Sequence, residues 1–173
     1  MALTDAIESL GRGEQVRLWL DDTQALAWMT PGALQGEVRN VEVLAWTSPL
    51  PAGQADPQPP ADVWIEAFGC EPPAECVEAL AARVAGGARA PAWINLEYLS
   101  AESYVERSHR LPSPIMSGSA RGLGKWFFYP GFTERTGGLL REPDLLARQA
   151  AFDAEGWLDG LRLPVRPSAR RVS

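Results

Sequence analysis

Two glutamates occupy positions from which their carboxylates could contact a ligand. Glu66 interrupts the apolar run 62–68, and Glu97 directly follows the apolar run Ala92–Leu96. A carboxylate in either place could line an acidic cleft that binds a cation. The alternative is a structural carboxylate held by hydrogen bonds within the protein. The sequence leaves both interpretations open for both residues.

Further polar side chains surround Glu97. Asn95, Tyr98 and Ser100 lie at or just after the same apolar run, a position that favours a cleft over the core. For Ser100 there is a second interpretation, because a serine before a helical segment typically caps it. The sequence therefore predicts either a cleft residue or the N-cap of a helix ending at Ser108.

A glycine-containing segment follows the third apolar run. Phe132 and Thr133 precede the pair Gly137 and Gly138. Paired glycines permit positive φ angles and allow the backbone to approach a ligand closely. The segment is interpreted as a cleft loop, with a plain turn as the alternative.

Several kinds of site are disfavoured. One His and the absence of a Cys-x-x-Cys pair leave a structural zinc ion without ligands. His109 has no nucleophile motif near it, which argues against a catalytic triad. The glycines of segment 118–124 precede a strand, whereas a dinucleotide fingerprint follows one. A net charge of −6 disfavours a nucleic-acid partner, and no apolar run approaches the roughly 18 residues of a membrane-spanning helix.

The elements that must position these residues alternate along the chain. Hydrophobic periodicity predicts strands at 16–20, 41–46, 62–68, 92–96 and 126–129, and helices at 3–10, 23–29, 74–83, 100–108 and 143–161. Repeated strand and helix units predict an α/β fold, doubly wound, with a mostly parallel sheet covered on both faces. Ligands bind outside the carboxyl ends of the strands in such folds, which is where the candidate residues lie.

The length of 173 residues fits one ordinary domain. The amino terminus carries no pattern typical of a signal peptide, and the two cysteines suggest no disulfide framework. We therefore expect a cytoplasmic protein.

Five segments, in this order and spacing, resemble one family. They are DVWIEAFGC at 62–70, WINLEYLSAE at 93–102, LPSP at 111–114, KWFFYPGFT at 125–133 and TGGLLRE at 136–142. The chain is similar here to the EarP family, protein-arginine rhamnosyltransferases that act on elongation factor P. The segment VRLWLDD at 16–22 also resembles the family, so the similarity covers nearly the whole chain.

The resemblance implies a Rossmann-like amino-terminal domain of a GT-B type glycosyltransferase. It implies inverting transfer of rhamnose from dTDP-rhamnose to an arginine of elongation factor P, without metal or cofactor. The acceptor would bind the amino-terminal domain, and the donor would bind mainly the carboxyl-terminal one. The acidic cleft around Glu66 and Glu97 would then receive an arginine-bearing loop of the acceptor.

The family begins with a strand and an aspartate-containing loop that have no counterpart before Leu3. No catalytic residue is therefore assigned. Residues 1–162 are expected to form the acceptor-side domain without its first strand, and residues 163–173 a linker toward a nucleotide-sugar domain. Guanidinium has a pKa above about 12 and needs a carboxylate to orient and deprotonate it. We expect the chain alone to be inactive; the alternative is a non-catalytic module that docks elongation factor P.

Overall fold

The computed structural model describes residues 13–47, 49–51, 53–139, 141 and 144–161. The chain divides into two compact units, residues 1–140 and residues 141–173. The helix predicted at 3–10 and the linker predicted at 163–173 lie outside the described residues. The predicted domain boundary at residue 162 stays a prediction.

The first unit alternates strands and helices, as the sequence predicts. In chain order it contains β1 (Val16–Leu20), α1 (Gln24–Met29), a short 3-10 helix (Ala33–Gln35), β2 (Val41–Ala45), β3 (Val63–Ala67), α2 (Ala74–Ala85), β4 (Ala92–Leu96), α3 (Tyr104–Ser108), β5 (Pro112–Pro114) and β6 (Gly124–Phe128). All five predicted strands overlap observed ones, while β5 was not predicted.

The described strands form two sheets. One has the order β1-β2 and the other β3-β4-β6-β5, and only β5 runs antiparallel to its neighbour. A mixed α/β fold with mostly parallel strands is thus confirmed. The single sheet expected from the sequence is wrong for the described residues, because β1 pairs with β2 alone and β3 with β4 alone among them.

The unpredicted strand β5 consists of Pro112, Ser113 and Pro114, a composition that disfavours a ladder. It is nevertheless tolerated because β5 lies at the end of the sheet order, where one side needs no backbone donors. The register of β5 is fixed by hydrogen bonds of the two residues that flank it. Phe127 N donates to Leu111 O, and Ile115 N donates to Leu123 O.

One face of the four-stranded sheet is buried under α2. The helix presents Cys76 and Leu80 one turn apart, and Leu80 packs on Trp93 of β4 in the core. Glu75 in the first turn and Arg83 in the last complement the helix dipole. The register places Trp64, Glu66, Trp93 and Asn95 on this same buried face.

Part of the opposite face of the sheet is exposed, although Leu96 of β4 is buried on that face with a relative exposure of 3%. Val63 and Ile65 of β3 and Trp126 of β6 keep relative exposures of 49%, 50% and 51%. The prediction that the sheet is covered on both faces is therefore wrong at β3, because no described element covers the side that carries Val63 and Ile65. A continuous apolar run indicates that a strand lies in a parallel sheet, but it does not indicate which helices pack on that strand.

The second unit contains two short helices instead of the single helix predicted over 143–161. These are α4 (Leu145–Ala150) and α5 (Ala154–Gly160). The Asp153 side chain accepts a hydrogen bond from Gly156 N at 3.0 Å, so it caps the start of α5 and ends the continuous helix.

None of the helices among the described residues is both long enough and apolar enough to cross a membrane.

Candidate functional site

The carboxyl ends of β3, β4 and β6 bring three segments together. We call residues 68–71, 97–103 and 129–138 the carboxyl edge. Phe68 N donates to Leu96 O at 2.8 Å, and Glu97 N donates to Phe128 O at 2.9 Å, so the ladder continues past the strands. Seven of the nine candidate residues lie in these segments: Glu97, Tyr98, Ser100, Phe132, Thr133, Gly137 and Gly138.

Glu66 lies within β3, just before the carboxyl edge, and is paired with a lysine. Lys125 Nζ donates to both carboxylate oxygens of Glu66, at 2.8 and 2.9 Å. The same Nζ lies 4.8 Å from the centroid of the Trp93 ring and 3.9 Å from Glu71 Oε1. Burial raises the pKa of Glu66, and the hydrogen bond and charge of Lys125 partly offset that effect.

The geometry of Glu66 matches the structural alternative raised from the sequence. The residue is 4% exposed and both of its oxygens face Lys125, so it presents no free carboxylate to a ligand. A direct contact between Glu66 and a ligand stays untested. Lys125 was not predicted as the partner of Glu66, because the residues next to it in sequence do not indicate a partner 59 positions away.

Asn95 connects this buried layer to the carboxyl edge. It is 7% exposed, and its Nδ2 donates to Glu97 Oε1 at 2.9 Å. Its Oδ1 is buried and has no hydrogen-bond donor among the residues that the structure describes. Asn95 therefore orients the Glu97 carboxylate, which is only partly buried.

Ser100 is not the cap of α3. The N-cap position is held by Ser103, and the Ser100 hydroxyl instead accepts a hydrogen bond from Glu102 N at 3.1 Å. The capping interpretation is wrong because the helix begins three residues later than a Ser100 cap would require. Ser100 N donates to Pro130 O at 3.4 Å and so ties two segments of the carboxyl edge together.

The segment 129–138 folds back on itself as a closed loop. Gly137 N donates to Tyr129 O at 2.7 Å, and Gly131 N donates to Gly138 O at 3.0 Å. Gly138 has a φ of 73°, as the paired-glycine interpretation expects, whereas a Cβ at Gly137 would collide with the Phe128 ring. The group that approaches the backbone of Gly137 closely is thus a side chain of the protein itself, the Phe128 ring.

A small cleft opens between this loop and α3. Its volume is about 70 Å³, and it is lined on one side by Ser100, Glu102 and Glu106 and on the other by Phe132, Thr133 and Thr136. Glu106 Oε1 accepts from Thr133 Oγ1 at 3.0 Å, and Glu106 Oε2 lies 3.3 Å from Arg135 Nη1. Glu106 was not singled out from the sequence, yet its carboxylate already holds a guanidinium.

His109 fixes the start of the loop. Its Nδ1 accepts a hydrogen bond from Tyr129 N at 3.2 Å, and its ring packs edge-on against Phe128 at 5.1 Å between centroids. Burial lowers the pKa of His109, and the neighbouring charge of Arg110 lowers it further. The neutral ring is required here, since a protonated Nδ1 could not accept the Tyr129 hydrogen.

The pH dependence of stability should reflect His109. A histidine whose folded pKa is lowered leaves the unfolded chain with more bound protons, so its contribution is full above the unfolded value of about 6.5 and lost as pH falls toward the folded pKa. We expect the free energy of unfolding, measured with urea, to decrease as pH falls below about 6.5. His109→Gln should lack this component, since the chain has a single His. Equal pH profiles for both proteins would contradict the assignment.

Within the described part of the chain, no group of three or more His, Cys, Asp or Glu side chains could hold a metal ion. The side chains of the carboxyl edge include carboxylates, hydroxyls and aromatic rings. Such a surface is suited to binding a cationic group.

Comparison with known proteins gives consistent results. A family model described as Elongation-Factor P (EF-P) rhamnosyltransferase EarP matches residues 7–170. A protein-arginine rhamnosyltransferase of Pseudomonas putida is 46% identical over 170 residues, covering 93% of this chain and 42% of that protein.

Two further relatives carry the same name. The one from Pseudomonas aeruginosa is 45% identical over 150 residues, covering 82% of this chain and 35% of its own length. The one from Neisseria meningitidis serogroup B is 36% identical over 154 residues, covering 88% and 37%. The chain thus spans well under half the length of these relatives.

Proposed function

Because the chain belongs to the EarP family, which is described as elongation factor P rhamnosyltransferases, we propose that it is part of a glycosyltransferase that joins rhamnose to an arginine side chain. The observation that carries the proposal is the 46% identity to a protein-arginine rhamnosyltransferase across 93% of this chain. Since the chain covers 42% of that relative, the activity is proposed for the whole protein.

The proposed donor is dTDP-rhamnose and the proposed acceptor is elongation factor P. A guanidine nitrogen attacks the anomeric carbon of rhamnose, a carbon–nitrogen bond forms, and the bond to the nucleotide diphosphate breaks. The guanidinium loses one proton, which a carboxylate must accept. No metal or cofactor takes part in this scheme. The donor is proposed to bind mainly to a second domain of the protein.

The carboxyl edge supports acceptor binding by its chemistry. Glu97 is oriented by Asn95, and Glu106 already pairs with the guanidinium of Arg135. A guanidinium from another protein could form the same kind of contact. The net charge of −6 suits a basic partner. We propose that the acceptor contacts Glu97, Tyr98, Ser100, Phe132 and Thr133. Gly137 and Gly138 would shape the loop 129–138. Glu66 and Asn95 would support the site from the buried side of the sheet.

The proposed architecture is a GT-B type enzyme in the cytoplasm. Residues 1–162 would form its Rossmann-like acceptor-side domain, and residues 163–173 would lead to the nucleotide-sugar domain. Support comes from the parallel strands β3, β4 and β6, whose carboxyl ends carry the candidate residues as in other open α/β sheets.

The proposal is tested by mixing this chain with dTDP-rhamnose and unmodified elongation factor P. We expect binding in titration calorimetry and no added deoxyhexose in the mass of the factor, since the donor site is proposed to lie elsewhere. This is also the behaviour of a non-catalytic docking module, the alternative function. The whole protein separates the two, because only an enzyme adds the deoxyhexose.

A matched pair of variants tests the docking surface. Glu97→Gln removes the charge but keeps an acceptor for Asn95, and it should weaken binding roughly 2- to 10-fold. Glu78→Gln, on the exposed side of α2, should bind like the unchanged chain. Failure of the unchanged chain to bind the factor would contradict acceptor docking, and a deoxyhexose added by this chain alone would contradict a separate donor domain.

A further inference from the structure

An exposed aromatic pair stands at the carboxyl edge. The rings of Phe68 and Tyr98 stack with their centroids 4.1 Å apart and their planes at 19°. Tyr98 is 66% exposed despite this contact. Phe68 follows β3 and Tyr98 follows β4, so the pair joins two neighbouring strand ends.

Phe68 is held in an unfavourable backbone conformation. Its φ is 59° and that of Gly69 is 73°, and Cys70 N donates to Ala67 O at 3.1 Å, which closes a tight turn. A left-handed conformation is costly for an aromatic residue, whereas glycine or asparagine would adopt it readily. The turn itself does not need an aromatic side chain. Strain of this kind at a strand end points to a role for the side chain it displays.

Two glutamates lie close to the aromatic pair along the chain. Glu97 precedes Tyr98 and is oriented by Asn95. Glu71 follows the turn, and its side chain is 82% exposed. An aromatic face beside carboxylates attracts cations, and a planar, weakly hydrated guanidinium can stack on such a face where an ammonium cannot.

We propose that the stacked pair Phe68 and Tyr98 is a platform for an arginine side chain of the acceptor protein. The guanidinium lies against the exposed face of the Tyr98 ring, with the carboxylates of Glu97 and Glu71 beside it. The strained turn at Phe68 holds the platform in place before the partner arrives. This inference rests on the proposed function, because it names the residues that recognise the arginine-bearing partner.

The test is a double-mutant cycle with elongation factor P. Tyr98→Leu keeps apolar bulk but removes the ring, and it should weaken binding of this chain to the unmodified factor roughly 2- to 30-fold. Tyr98→Phe keeps the ring and should stay within about 2-fold. With a factor whose acceptor arginine is replaced by alanine, Tyr98→Leu should cause no further loss.

The outcomes separate the platform from the proposed function. If the unchanged chain binds the factor and Tyr98→Leu binds equally well, or loses as much with the alanine factor, the platform is refuted while docking stands. If the unchanged chain does not bind the factor, docking is refuted, and hexa-arginine and hexa-lysine peptides then decide on the platform. A preference for hexa-arginine that Tyr98→Leu abolishes supports it, and equal binding of both peptides overturns it.

Discussion

Lys125→Met should destabilise the protein by about 3–5 kcal/mol at pH 8, because it leaves the Glu66 carboxylate buried without its partner. The Glu66 side chain is 3% exposed and that of Lys125 is 18% exposed, so water cannot replace the lost contact. The measurement is the free energy of unfolding in urea, with circular dichroism as the probe.

The same variant should be less destabilised in acid. Without Lys125, both of its effects that lower the pKa of Glu66 disappear and the pKa rises further. A protonated Glu66 no longer carries an uncompensated charge, so the loss should be smaller at pH 5.5 than at pH 8.

Glu66→Gln combined with Lys125→Met provides the control, since a neutral amide replaces the stranded charge. We expect this double variant to be more stable than Lys125→Met alone. A cost below about 1 kcal/mol for Lys125→Met, or a double variant no better than the single one, would show that the ion pair does not matter to the fold.

Leu80→Ala should cost about 2–5 kcal/mol of stability, since Leu80 is 1% exposed and packs against Trp93 and Ala120 in the core. The surrounding ring and helix backbone cannot collapse fully into the space that the removed methyl groups leave. Urea unfolding gives the value directly.

Ile65→Ala is the matched control on the other face of the sheet. Ile65 is 50% exposed, so its truncation should cost less than about 1 kcal/mol. A cost equal to that of Leu80→Ala would mean that the face carrying Val63 and Ile65 is buried after all.

The sequence was informative about the carboxyl edge because neighbouring parallel strands end on the same side. Once β3, β4 and β6 were predicted, the residues that follow them had to meet, and Glu97, Tyr98 and Phe132 do lie in adjoining segments. The sequence did not indicate which of the two carboxylates, that of Glu66 or that of Glu97, is paired with a lysine. Glu66 and Glu97 look alike in sequence, and only the position of Lys125 separates them.

Three features needed the tertiary structure. The exposure of Val63 and Ile65 depends on which helices reach the sheet, and the pairing of Glu106 with Arg135 depends on how the loop 129–138 closes. The stack of Phe68 on Tyr98 arises from a left-handed turn that no local rule assigns to phenylalanine.

By itself, the sequence determined the family and the order of the longer strands and of the helices between them, because these follow from local periodicity and from motifs that are short and contiguous. It did not determine β5 or the division of residues 143–161 into α4 and α5. The tertiary structure alone decided which faces are covered and which charges are paired. Those outcomes are set by contacts between residues such as Glu66 and Lys125, 59 positions apart, whose free energies depend on shared burial that no local pattern records.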